Sequence, residues 1–170
     1  MIQRVLIPTD FTVNSLRIVL EYLESSDHQQ VELVLACGYN LGESIGMLLG
    51  FTLDDHLAEM QKEDFLKGCE IIRSRFEDKI VEMYSDLMIS KNKRYVRNYL
   101  KGRQLTQIVL PDAFEFKYLG NCFDIVELMN TMEPANVPKI VTVNMGEEKL
   151  QAQDTLDSFF FRKEWRFNYE

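Results

Sequence analysis

The chain has few of the residues from which metal or thiol chemistry is usually built. Its 170 residues include two histidines and three cysteines, Cys37, Cys69 and Cys122. The cysteines are odd in number and far apart, with no C-x-x-C pair and no Cys/His cluster. That pattern argues against a disulfide framework and against a zinc site. Neither an H-E-x-x-H helix nor a G-x-x-x-x-G-K-[ST] phosphate loop occurs, so catalysis is disfavoured. No apolar run approaches the ~20 residues that a membrane helix needs. No charged-then-apolar leader opens the sequence, so secretion is not expected. Basic residues are outnumbered, 19 Lys and Arg against 27 Asp and Glu, for a formal charge of −8. A surplus of negative charge opposes docking on nucleic acid or on an anionic membrane. The expectation is an acidic cytoplasmic protein.

What is present is a strand that organises the rest. Residues 4–11 read RVLIPTDF. Val5, Leu6 and Ile7 form an unbroken apolar run that Pro8 closes, and Asp10 and Thr12 follow ahead of a helical pattern. A short apolar run ended by turn chemistry fits a strand buried on both faces, as in a parallel sheet. Such sheets bind ligands in the crevice outside the carboxyl ends of their strands, where Asp10 falls.

Thr12 or Asn14 can cap the helix carrying Leu16, Leu20 and Leu23. Residues 25–30, including His28, read as a polar turn, and residues 31–37, VELVLAC, as a second strand. The opening is therefore a βαβ unit with a right-handed crossover. Residues 38–52 carry Gly42, Gly46 and Gly50 four apart and read as an irregular loop that could close over the crevice. One long helix is predicted over 53–79. Its apolar stripe is Phe65, Cys69, Ile72 and Phe76, with Cys69 a small core residue and His56 on a solvated face.

A third strand is predicted over 81–89 and a basic helix over 91–100. Its cluster of Lys91, Lys93, Arg94, Arg97, Lys101 and Arg103 reads as a solvated face, with an anion or acidic-partner patch as the alternative. Residues 107–110, stopped by Pro111, are the fourth strand. A helix over 122–132 buries Ile125, Leu128, Met129 and Met132 and ends at Pro134, and residues 137–145 are the fifth strand. Alternating strands and helices make an α/β fold with a five-stranded, mostly parallel sheet and helices on both faces. The chain divides into an α/β domain over 1–146 and a linker with an aromatic tail over 147–170. Six aromatics fall between Phe159 and Tyr169. So many aromatics call for a covering surface, on the tail's own domain or on a dimer mate.

RVLIPTDFTVNSLRIVLEYL resembles the opening strand and helix of the universal stress protein family, where a "LVPTDFS-x-NS" type start is common. VELVLACGY is similar to the family's second strand. GRQLTQIVLPD is similar to the segment usually reading "ADLIVMGTHG". LGNCFDIVELMNTMEPANVPKIVTV is similar to the closing "LLGSVAERVL…CPVLVV" segment. The resemblance covers residues 2–145. It implies sheet order 3-2-1-4-5, a dimer, and one of two branches: one binds ATP through a glycine-rich loop after strand four, and the other lacks that loop.

Where the ATP branch has G-x2-G, about nine residues, then G-S or G-T, this chain reads PDAFEFKYLGN over 111–121. The family's glycines let backbone N–H groups approach phosphates. Only Gly120-Asn121 corresponds here, in place of G-S. Pro111 removes an N–H donor. Phe114, Phe116 and Tyr118 replace small residues, and Asp112 and Glu115 add charge of the sign that phosphates repel. The resemblance with these departures implies a domain without the phosphate site. It needs no cofactor and acts through dimerisation or protein partners in stress response.

Strand five, through Lys139, Ile140, Val141, Thr142 and Val143, is the expected homodimer edge, with the aromatic tail as a second contact or as a filler of the vacant cleft. Two alternatives stay open. A cleft of Asp10, Asp112, Phe114, Gly120 and Asn121 could take ATP or adenosine, with the aromatic loop stacking the base. Asp10 and Asp112 could instead hold a cation for hydrolysis. Asp10 matches the aspartate that faces the nucleotide in ATP-binding family members; without the glycine loop, a carboxylate held by backbone N–H groups is the favoured reading.

Overall fold

Strand β1 (Gln3–Pro8) occupies the middle of the sheet because Val5, Leu6 and Ile7 are all fully buried, and a strand at the sheet's margin could not cover both of its faces. The computed structural model describes residues 2–27, 30–40 and 53–146. His28, the glycine-spaced stretch 41–52 and the linker and tail over 147–170 lie outside the described residues. Strand β2 (Val31–Tyr39) runs parallel to β1 from the Gln3–Val31 pair to the Pro8–Ala36 pair. Strand β3 (Ile80–Met88) flanks β2 on its other side. Strand β4 (Gln107–Pro111) flanks β1, and β6 (Lys139–Val143) flanks β4, all parallel. The order β3-β2-β1-β4-β6 is the 3-2-1-4-5 order that the resemblance implied, with β6 as its fifth strand.

The side-chain period of two divides β1 between two apolar layers. Val5 and Ile7 join Leu33 and Leu35 in a cluster closed by helix α1 (Leu16–Ser25) and by Phe65, Cys69 and Ile72 of a later helix. Leu6 joins Val34, Ala36, Ile108 and Leu110 in a second cluster. That cluster is closed by α4 (Lys93–Gly102) and α5 (Ile125–Thr131). Helices therefore cover both faces, as expected. Lys79 fastens one layer: its Nζ donates to the carbonyls of Leu23 at 2.6 Å and Ser26 at 2.7 Å. A cation there also suits the negative end of the α1 dipole.

Three expectations need correction. The long helix over 53–79 is two helices, α2 (Leu53–Met60) and α3 (Glu63–Arg75), broken at Lys62, whose ψ of 158° is extended. Neither Gln61 nor Lys62 is a breaker, so no local signal marked the stop. Glu63 and Asp64 mark the new start, since acids in a first turn face the positive end of the helix dipole. His56 does not lie on a solvated face. It is 7% exposed, with its ring 5.0 Å from that of Tyr39. Finally, the helix expected from Cys122 begins at Ile125, capped by Asp124, whose Oδ1 accepts from Val126 N at 2.8 Å.

Cys122 and Phe123 instead form a two-residue strand, β5, antiparallel to Gly38 and Tyr39 of β2. It takes the flank of β2 beyond Ala36, where the pairing with β1 ends. Gly38 makes this approach possible. A Cβ there would sit 2.5 Å from the Phe123 ring and 2.7 Å from the Phe123 carbonyl oxygen. The ring could turn away, but the backbone oxygen could not. Replacing Gly38 with alanine is predicted to force β5 off β2 and to destabilise the protein by about 1–3 kcal/mol. Urea denaturation checks this, and an unchanged midpoint would count against the close approach.

Candidate functional site

The turn after β1 is built from short polar side chains that bond their own backbone. Thr9 Oγ1 accepts from Phe11 N at 3.0 Å and lies 2.8 Å from Ser15 Oγ. These bonds hold Phe11 at φ 61°, a left-handed conformation that costs a non-glycine residue about 1–3 kcal/mol. The buried Phe11 ring offsets that cost, meeting Phe65 edge-on at 5.4 Å. Thr12, one of the two caps expected, accepts from Ser15 N at 3.3 Å and opens the short 3-10 turn ahead of α1.

Asp10 stands at the carboxyl edge, and both of its oxygens are engaged. Oδ1 accepts from Thr12 N at 3.0 Å and from Thr12 Oγ1 at 2.6 Å. Oδ2 accepts from the backbone N of Lys117 at 2.7 Å. The last bond spans 107 positions in sequence and pins the middle of the 111–121 loop over the end of β1. The loop's far end is tied by Asn40 N donating to the Asn121 carbonyl at 2.9 Å and by the β2–β5 pairs. Between these ties Phe114 lies 4.7 Å from Phe116, and Phe116 stacks on Tyr118 at 5.2 Å. All three are half-buried against the layer containing α1 and α3. Burial pushes the Tyr118 phenol well above its ordinary range, and the nearby Asp124, Cys37 and Asp10 push the same way.

The other residues of the expected cleft also turn to backbone work. Asp112 Oδ1 accepts from Met145 N at 3.0 Å, while its own N–H donates to the Val143 carbonyl at 2.9 Å. Asp10 and Asp112 thus hold different segments. Among the described residues no group of three or more His, Cys, Asp or Glu side chains could hold a metal. Gly120 adopts φ 59° with open space where a Cβ would be, so backbone conformation rather than close approach of another group is what favours glycine. A cavity of about 320 Å³ near the β1 turn is lined by Phe11, Thr12, Val13 and residues 62–65, and by none of the loop residues. Of the basic cluster, Arg103 pairs with Asp86 and lies 3.7 Å from the Tyr99 ring centroid. Lys93, Arg94 and Lys101 are exposed, as a solvated face requires.

Two features escaped the sequence reading. The cysteines are not all isolated: Cys37 Sγ lies 3.8 Å from Cys122 Sγ. Their separation of 85 positions gave no local signal. Gly42-Glu43-Ser44-Ile45-Gly46 also fits the G-x-S-x-G pattern of hydrolase nucleophile turns, but it lies outside the described residues.

The elements and their edge define an α/β protein with a doubly covered parallel sheet, its carboxyl end overlaid by an aromatic loop. No protein-family model matches the chain, and no curated protein matches it. Solved structures are similar to it. Hypothetical protein PH0823 is 15% identical at a TM-score of 0.49, over 86% of this chain and 97% of that one. Hypothetical protein MJ0577 is 14% identical at 0.48, over 85% and 97%. Universal stress protein UspA from Lactobacillus plantarum is 14% identical at 0.46, over 83% and 97%. Likenesses this distant carry no argument about ligand or activity.

The Asp10 clamp generates a prediction. Asp10→Asn keeps the shape but removes the charge and one acceptor. It should cost about 1–3 kcal/mol of stability and speed amide hydrogen exchange at Lys117. Exchange at Lys117 as slow as in the parent protein would contradict the clamp.

Proposed function

We propose that this chain is a universal-stress-protein-like domain in which the ATP phosphate loop has been replaced by an aromatic clasp, and that it works through self-association or protein partners. The observation that carries this reading is the bond from Lys117 N to Asp10. The carboxylate that would face a nucleotide is occupied by the chain's own backbone. The loop meant to cradle phosphates instead presents Pro111, which has no N–H, and three mutually packed aromatic rings. The anionic Asp112 and Glu115, both exposed, add repulsion toward a triphosphate. Calorimetry with ATP and Mg²⁺, run beside adenosine, tests the reading. No heat of binding from either is expected. Micromolar ATP binding would overturn the lost phosphate site, and binding of adenosine alone would favour a reshaped nucleoside cleft.

The partner surface in this reading is β6. It ends the sheet, and among the described residues no strand pairs with its outer edge. Val143 and Met145 are buried while Ile140, Thr142 and Asn144 are exposed. Ile140 is 38% exposed on an unpaired edge, an arrangement that invites pairing with a second strand. Light scattering after size exclusion is expected to give a dimer for the full chain and a monomer for Ile140→Asp. A monomeric parent protein would remove self-association, and a dimeric variant would move the interface away from β6.

A further inference from the structure

The Cys37–Cys122 pair has no part in the reading above. Cys37 is fully buried near the end of β2, whereas Cys122 is half-buried on β5. Their sulfurs lie 3.8 Å apart, in reach of an S–H···S bond. Both residues sit where the aromatic loop meets the sheet, next to the Gly38–Phe123 contact. We propose that Cys122 and Cys37 form a peroxide-reactive dithiol, Cys122 as the attacked sulfur and Cys37 as the resolving one, whose disulfide fastens the 111–121 loop to β2.

The two thiols are unequal in the sense this chemistry needs. The S–H of Cys37 donates to Cys122, and a backbone donor at Leu119 adds to it. Together they pull the Cys122 thiol down to about 7 against burial and the nearby Asp10 carboxylate. The same bond, burial and the charges of Cys122 and Asp10 push Cys37 up. The other titratable or charged groups around the pair are Tyr118 from the loop, with Asp124 near it, and Lys91, whose Nζ lies 5.5 Å from the Phe123 ring centroid. Cys69 is an internal control. It is buried in α3, and burial, with Glu70 adding to it and Arg73 opposing it, pushes its thiol up to about 12. A thiolate is the nucleophile, so Cys122 should react and Cys69 should not.

The oxidant is a hydroperoxide, ROOH. The Cys122 thiolate attacks its terminal oxygen, and the O–O bond breaks. The terminal OH group passes to sulfur, so Cys122, now oxidised by two electrons, is the sulfenic acid; the RO⁻ released takes up the proton that Cys122 gave to solvent on ionising and leaves as the alcohol. Cys37 then attacks the Cys122 sulfur while losing its proton. The S–O bond breaks, and the departing hydroxide takes that proton as water. In sum, two thiols and ROOH give one disulfide, ROH and water. The sulfurs must close from 3.8 Å to ~2.05 Å. β5 pairs with β2 over only two residues, so it is the shorter element that has to shift.

The test uses the full chain, reduced and then treated with stoichiometric hydrogen peroxide. Free thiols counted with Ellman's reagent under denaturing conditions should fall from three to one. Non-reducing peptide mass spectrometry should recover the Cys37–Cys122 cross-link. Oxidation should raise Tm by roughly 5–10 °C, because a long loop is closed. Cys69→Ser should leave the cross-link intact. Cys37→Ser should stop at a sulfenic acid on Cys122 that dimedone traps. In the parent protein, iodoacetamide labelling of Cys122 should reach half its maximal rate near pH 7. In Cys37→Ala, which removes the donor, that midpoint should move up toward ~8.5. Three thiols surviving peroxide, oxidation of Cys69 at the same rate, cross-links only between molecules, or an unmoved labelling midpoint would each overturn the proposal.

Discussion

Burial of β1 on both faces is the constraint on which everything else depends. A strand with no solvated side must be flanked by strands and covered by two helical layers, and these residues meet that demand in two separate clusters. Parallel pairing then gathers the carboxyl ends of β1, β2 and β4 along one edge. Asp10, Cys37 and residues 111–121 therefore meet although they are distant in sequence. The chemistry of the site follows from that geometry before any side chain is chosen.

At that edge the competition is between serving a ligand and serving the chain. A carboxylate that accepts backbone N–H bonds is well satisfied, and a ligand has to offer more than those bonds to displace them. Asp10 is engaged by Thr12 and Lys117, and Asp112 by Met145. Both acids hold segments of the structure together. The aromatic rings of the loop satisfy one another in the same way, which leaves their faces largely spoken for.

The sheet was legible because its signals are local: apolar runs closed by Pro8 and Pro111, and the alternation of 139–145. What escaped depended on contacts across the fold. The stop at Lys62 lacks a breaker and is marked only by the acids that begin α3. The start of α5 was placed too early, at Cys122, although Asp124 is the residue that caps it. His56 looked solvated beside Asp54 and Asp55, yet packing against Tyr39 buries it. The nearness of Cys37 to Cys122 depends on β5, which is too short to show a period. Sequence left Asp10 three readings, nucleotide-facing, cation-holding and backbone-held, and its bond to Lys117 gives weight to the last.

Arg17 reaches from α1 through the core, and its Nη2 donates to the Met145 carbonyl at 3.3 Å. Asp112 holds the N–H of the same residue. Met145 is thereby gripped at both of its backbone groups, one residue before Gly146. The described residues thus end at a fixed anchor beside the carboxyl edge. Any ligand of that edge that shifts the end of β6 has to break two backbone bonds held by side chains from separate elements.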